Sequence, residues 1–148
     1  MVKTYQSHID QTIAAMNGRC LLLGPMENID RIFPSSVTSI TEWHNYPDIE
    51  GTFDTILSIE NLASFQDLNR KLQNLLLFTH SDSLLLFCDQ TATPINKSHT
   101  SRQDITGALW NNGWSVIECY RNSIGKSKRA SRYVQGKARP KRSLQDQN

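Results

Sequence analysis

At 148 residues, with 38% hydrophobic and 20% charged side chains, the chain is large enough for one domain with a buried core and too apolar to be disordered. Its longest apolar runs, such as Leu75 to Phe78 and Leu84 to Cys88, fall far short of a bilayer span, and Met1 to Tyr5 has no secretion-signal character, so a cytoplasmic protein without membrane contact is expected. The net charge of +2 hides a polarity: residues 121–148 hold nine of the 16 Lys and Arg but one of the 14 acids, which makes the preceding body acidic and the end basic.

Tyr5, Ile9, Ile13 and Met16 recur at helical spacing, predicting an amphipathic helix over 4–17 that Gly18 stops. Leu21 to Leu23 follow as a short buried strand, turning at Gly24-Pro25 into a helix over Met26 to Phe33 that Pro34 closes. Val37 to Thr41 alternate as a strand ending at Glu42, and Trp43 to Gly51, polar and containing Pro47, reads as loop. Phe53 to Ile59 is a buried strand with a polar exit at Glu60 and Asn61. A helix over Ala63 to Thr79 carries Phe65, Leu68, Leu72, Leu75 and Leu76 on one face. Ser81-Asp82-Ser83 reads as a turn into the strand Leu84 to Cys88, and Gln90 to Thr100 as a surface loop. Ser101 caps a helix to Asn112 that turns Ile105, Ala108 and Leu109 inward and that Gly113 breaks. Trp114 to Tyr120 and Ser131 to Gln135, joined through Gly125 to Lys128, read as an antiparallel hairpin, with Trp110 and Trp114 as core residues. A single domain over 1–139 and a basic, disordered tail over 140–148 complete the reading.

Solidly apolar strands alternating with helices predict an α/β fold whose mainly parallel sheet has helices on both faces and a C-terminal antiparallel hairpin. Cys20, Cys88 and Cys119 stand singly in apolar segments and read as reduced thiols; the four scattered histidines offer no metal-ligand spacing, so no metal is expected.

The turn Leu21-Leu22-Leu23-Gly24-Pro25, the acid Glu42 placed 18 residues after Gly24, the strand Phe53-Asp54-Thr55-Ile56-Leu57-Ser58-Ile59 and the segment Gly113-Trp114-Ser115-Val116 carry a family likeness. Through them the chain resembles the class I S-adenosylmethionine-dependent methyltransferases, from residue 4 to residue 139. The resemblance implies a Rossmann-like sheet, S-adenosylmethionine as cofactor and an acceptor that is by default a small molecule. It departs from the family where acid-x-Gly-x-Gly-x-Gly becomes Leu22, Gly24, Met26 and Asn28. The stretch between Glu42 and Phe53 is also too short for the usual third strand and helix, so one helix–strand unit is shortened or missing.

The candidate cofactor-binding residues are Gly24, Pro25, Glu42, Trp43, Ser58 and Glu60; no catalytic residue is assigned. Gly24 admits the cofactor against bare backbone or simply serves the turn. Glu42 accepts from ribose hydroxyls or is a solvated acid, and Trp43 stacks on adenine or is a loop aromatic. Ser58 and Glu60 lie at the carboxyl edge of a central strand, where α/β sheets bind ligands; Glu60 is equally a helix N-terminal acid. Asp54 reads as a structural cap. Two rivals accompany methyl transfer. One is a non-catalytic accessory protein that forms homo- or hetero-oligomers through surface left by the shortened half. The other is nucleic-acid binding through the basic stretch Lys126 to Arg142, which otherwise is a solvated hairpin and tail.

Overall fold

The computed structural model describes residues 5–23, 33–43, 49–59, 68–90, 102–124 and 131–141. The elements are α1 (Tyr5–Ala14), β1 (Gly18–Leu23), β2 (Val37–Trp43), β3 (Phe53–Ile59), α2 (Leu68–Leu75), β4 (Thr79–Gln90), α3 (Arg102–Asn111), β5 (Trp114–Ile124) and β6 (Ser131–Pro140). The strands form one six-stranded sheet in the order β2-β1-β3-β4-β6-β5. β2, β1, β3 and β4 run parallel, and β6 enters antiparallel between β4 and β5. This is a mainly parallel α/β sheet closed by an antiparallel pair, in agreement with the sequence.

Apolar runs such as Cys20 to Leu23 are buried on both pleat faces, which is why they do not alternate with polar residues. One face, under α2 and α3, collects Leu21, Leu23, Ile56, Leu85, Phe87 and Trp114. The other, under α1, collects Ile13, Met16, Leu22, Leu57, Leu86 and Cys88. α2 and α3 are tied by Asn112, whose Nδ2 donates to Asn69 Oδ1 at 2.7 Å and whose Oδ1 accepts from Gln73 Nε2 at 2.7 Å. The Trp114 indole N–H donates to the Leu72 carbonyl at 3.0 Å, fixing β5 to α2.

The amino edge of the parallel strands is held by Asp54. Its Oδ2 accepts from the Arg19 backbone N–H at 2.8 Å and its Oδ1 lies 2.8 Å from His80 Nε2. His80 Nδ1 accepts from the Asp82 N–H at 3.1 Å, so the neutral ring carries its proton on Nε2 and donates it to Asp54. Arg19 also reaches the carbonyls of Glu50 and Thr52, and its guanidinium lies 4.3 Å from the Phe53 ring centroid. Gly18 adopts φ +67°, a conformation that favours glycine, and a side chain there would also overlap the Asp54 carboxylate.

Several sequence expectations are corrected. Trp110 is 59% exposed, because on α3 the buried stripe is Ile105 and Leu109; Lys141 Nζ sits 3.7 Å from its ring centroid instead. The turn at Ser81 to Ser83 is an excursion within β4: Phe53 pairs with Thr79 and Thr55 with Leu84, and Ser83 Oγ donates to the Phe53 carbonyl at 2.6 Å across the extra residues. The α2 helix gives way to a 3-10 turn over Leu76–Phe78, so Thr79 already belongs to β4. β2 includes Trp43, and β6 extends to Pro140, with the Lys141 N–H donating to the Gly113 carbonyl at 2.8 Å, beyond the expected strand end. The expected helix over 26–33, Ser101 cap and turn at 125–128 fall largely or wholly outside the described residues; of the tail expected over 140–148, Pro140 belongs to β6 and the residues after Lys141 lie outside the described ones.

Only nine residues separate β2 from β3. A parallel crossover usually takes a dozen or more, so no further strand and helix fit between them. Among the described residues β2 is accordingly an outer strand.

Candidate functional site

The chain runs from β1 outward to β2 on one side, then returns to β3 on the other. The carboxyl ends of β1 and β3 therefore flank a topological switch point, the crevice where open α/β sheets take ligands. Register pairs Leu23 with Trp43 on one side and with Ser58 on the other, and Ser58 with Phe87. These four residues form one cross-strand row on the α2/α3 face, in which Leu23 and Trp43 end their strands and Ser58 stands one residue before the end of β3.

Ser58 is fully buried in that row, and among the described residues its hydroxyl has no hydrogen-bond partner. A buried hydroxyl without a partner costs about 1–3 kcal/mol. Asp89 is likewise fully buried, two residues beyond Phe87 on the same face. Its Oδ2 accepts no hydrogen bond, although the residue interacts elsewhere.

Glu42 and Trp43 are consecutive residues of an extended strand and so point to opposite faces. Glu42 is exposed, next to Leu22 in register on the α1 side. Trp43 turns to the α2 side, where its ring meets Phe78 edge-on with centroids 5.3 Å apart and Lys71 Nζ lies 3.9 Å from its centroid. One face of the indole is therefore engaged by a cation. Burial lowers the Lys71 pKa from its ordinary value. Lys71 was not legible in sequence, because its contact with Trp43 is made across the fold. Gly24, Pro25 and Glu60 lie outside the described residues; they follow Leu23 and Ile59 directly and so continue from the two strands that flank the crevice. The structure thus brings Trp43 and Ser58 into one row and places Glu42 on the reverse side of β2.

Leu22 occupies the position where the resemblance noted in the sequence implies an acid, and it is 2% exposed within the α1-face core. Among the described residues no group of three or more His, Cys, Asp or Glu gathers in a metal-binding arrangement. Cys20, Cys88 and Cys119 are free thiols, the first two buried. No described helix is long and apolar enough to cross a membrane.

A separate cleft of about 220 Å³ opens on the α1 face, between Thr12 of α1 and Tyr120, Gln135 and Lys137 of the hairpin, over Leu86. Its polar groups bond to one another. Tyr120 donates to Glu118 at 2.6 Å, Lys137 Nζ stands 3.3 Å from the same carboxylate, and Gln135 is 2.8 Å from His8. The Tyr120 hydroxyl, then Lys137, lowers the Glu118 pKa, and the same carboxylate raises that of Tyr120. This cleft lies across the sheet from Ser58 and Trp43 and is not the switch-point crevice.

No protein-family model matches the chain, and no curated protein matches its sequence. Solved structures do match its fold. The [4+2]-cyclase SpnF superposes with a TM-score of 0.68 at 10% identity, covering 94% of this chain and 81% of that one. The N-methyltransferase NodS from Bradyrhizobium japonicum WM9, in complex with S-adenosyl-L-homocysteine, gives 0.60 at 12% identity over 92% and 85% of the two chains. A putative methyltransferase from Bacillus halodurans C-125 gives 0.60 at 9% identity over 93% and 99%. The fold is that of the class I methyltransferases, here in a shortened form with β2 at its margin.

Proposed function

We propose that this chain binds S-adenosylmethionine across the β1/β3 crevice and transfers its methyl group to a small-molecule acceptor. The observation that carries the reading is the fully buried, unbonded Ser58 hydroxyl at the switch point of a sheet shared with proteins whose structures hold S-adenosylhomocysteine. The described residues fit such a group in kind: an unbonded hydroxyl at the crevice, an exposed carboxylate on the neighbouring strand and an indole between them and α2. Ser58 would bond the ligand and Trp43 would lie beside the base, while Glu42, on the reverse face of β2, would reach the sugar hydroxyls over the carboxyl end of its strand. Gly24, Pro25 and Glu60 remain candidate residues. When bound, the cofactor supplies a sulfonium methyl open to in-line displacement by an acceptor nucleophile. Such a displacement needs chiefly alignment and exclusion of water, so a site without a dedicated base is chemically sufficient.

A second reading, a non-catalytic accessory protein, is favoured by Leu22. Its burial on the α1 side leaves no carboxylate on β1 for a methionine amine. The likeness to SpnF, described as a cyclase, further supports the view that this fold alone does not dictate methyl transfer.

Titration calorimetry with S-adenosylmethionine and S-adenosylhomocysteine tests the binding reading, and no heat at millimolar ligand would end it. Ser58→Ala and Glu42→Ala are each expected to weaken binding roughly threefold to tenfold, the worth of one hydrogen bond. Methyl-labelled cofactor incubated with small-molecule extracts separates the two readings, since binding without label transfer supports the accessory role.

A further inference from the structure

β2 closes one side of the sheet, and among the described residues its outer margin pairs with no strand. Its sequence, Val37-Thr38-Ser39-Ile40-Thr41-Glu42-Trp43, holds four β-branched residues and a tryptophan, the composition of a strand that pairs on both sides. Outer strands usually carry guards against pairing, such as proline, lysine or inward charges. β2 has no proline or lysine, and its one charge is Glu42. Its single guard is a register shift against β1 at Thr38; from Ser39 to Trp43 the ladder is regular. Thr38, Ser39, Ile40 and Glu42 are exposed, Ile40 to 39%.

The residue pattern selects the occupant. When this strand meets itself antiparallel about a two-fold axis at Ile40, Ile40 faces Ile40, Ser39 faces Thr41, and Glu42 faces Thr38. The apolar side chain contacts its own copy, and each carboxylate meets a hydroxyl, with no like charges opposed. Cross-strand pairs of these kinds are the favourable ones, and an isologous contact supplies each of them twice. β5, the other outer strand, is interrupted by a register shift between Val116 and Glu118, and its Glu118 carboxylate is already engaged by Tyr120 and Lys137 within the chain.

We infer that two copies of the chain join β2 to β2, antiparallel and centred on Ile40, extending the sheet across a two-fold axis. The contact sets Thr38 of the second copy beside Glu42, so the candidate sugar-binding carboxylate lies at the junction. The inference does not depend on the cofactor reading, because it rests on the β2 margin alone.

One strand pair buries less than the 1,200–2,000 Å² of a standard interface, so the association is weak and the chain is best examined by sedimentation velocity from about 10 µM to about 1 mM. The expected result is a monomer giving way to a dimer across that range. Ile40→Lys should remove the dimer, and Ile117→Lys, on the opposite outer strand, should leave it intact. Independently, Ile40→Cys in a Cys119→Ser background should yield a 40–40 disulfide-linked dimer under mild oxidation, read by peptide mapping. A chain that stays monomeric throughout, a dimer that survives Ile40→Lys and dissolves on Ile117→Lys, or an Ile40→Cys chain that forms no such link would overturn the inference. Loss of cofactor binding would not, since neither readout involves the ligand.

Discussion

Asp54 gathers the Arg19 backbone N–H and the His80 ring into one carboxylate, and both act to lower its pKa, the Arg19 amide most. A carboxyl that is more acidic in the folded chain than in the unfolded one stabilises the fold at neutral pH. That contribution fades as pH falls below about 4 and is gone beneath the folded-state value. Asp54→Asn should therefore cost about 1–2 kcal/mol at pH 7, a modest figure because the side chain is 43% exposed. The gap to the wild type should close in acid, as thermal melts at pH 7 and pH 3 would show. A gap that stays constant would mean that Asp54 acts through shape alone. Ser58 is the converse case, a polar group whose partner is not supplied by the described protein, and it is tested by ligand rather than by melting.

Between elements, the turns do the positioning. Gly113 ends α3 at φ +94°, where a Cβ would collide with Leu76. Gly113→Ala should destabilise the fold by about 1–3 kcal/mol, measured by urea denaturation, because strain in the left-handed region adds to the clash. This element was legible in sequence, since a glycine between a helical period and a β-branched run has few other uses. So were β1, β3 and the core of β4, because strands buried on both faces leave continuous apolar runs. Trp110 was misread because large aromatics are usually internal, and only the phase of Ile105 and Leu109 shows that it faces out. The excursion at Ser81 to Ser83 was seen as a turn because hydroxyl and carboxyl side chains favour turns, yet Ser83 binds the next strand and keeps the ladder going. The site was less legible than the fold. Alternation along β2 separates Glu42 from Trp43, and Lys71 meets Trp43 only through the packing of α2.

For the molecule as a whole, stability should be graded across the sheet. β1, β3 and β4 are buried on both faces and hydrogen-bonded on both sides, so the amides of Cys20 to Leu23, Thr55 to Ile59 and Leu84 to Cys88 should exchange only through global unfolding. In dilute solution the β2 amides should exchange faster by orders of magnitude, and hydrogen exchange read by mass spectrometry would show the gradient. Equal protection in β2 and β3 would contradict it. Lys137 and Lys141 are spent on Glu118 and on Trp110, so part of the basic end works within the fold. The insertion of β6 between β4 and β5 also sets a schedule for biosynthesis. A nascent chain leaving the ribosome releases β5 first, yet that strand has no ladder to join until its successor emerges and docks on β4. At about 5–20 residues per second, the flank of β4 stays open for a few seconds, and chaperone capture would matter most in that interval.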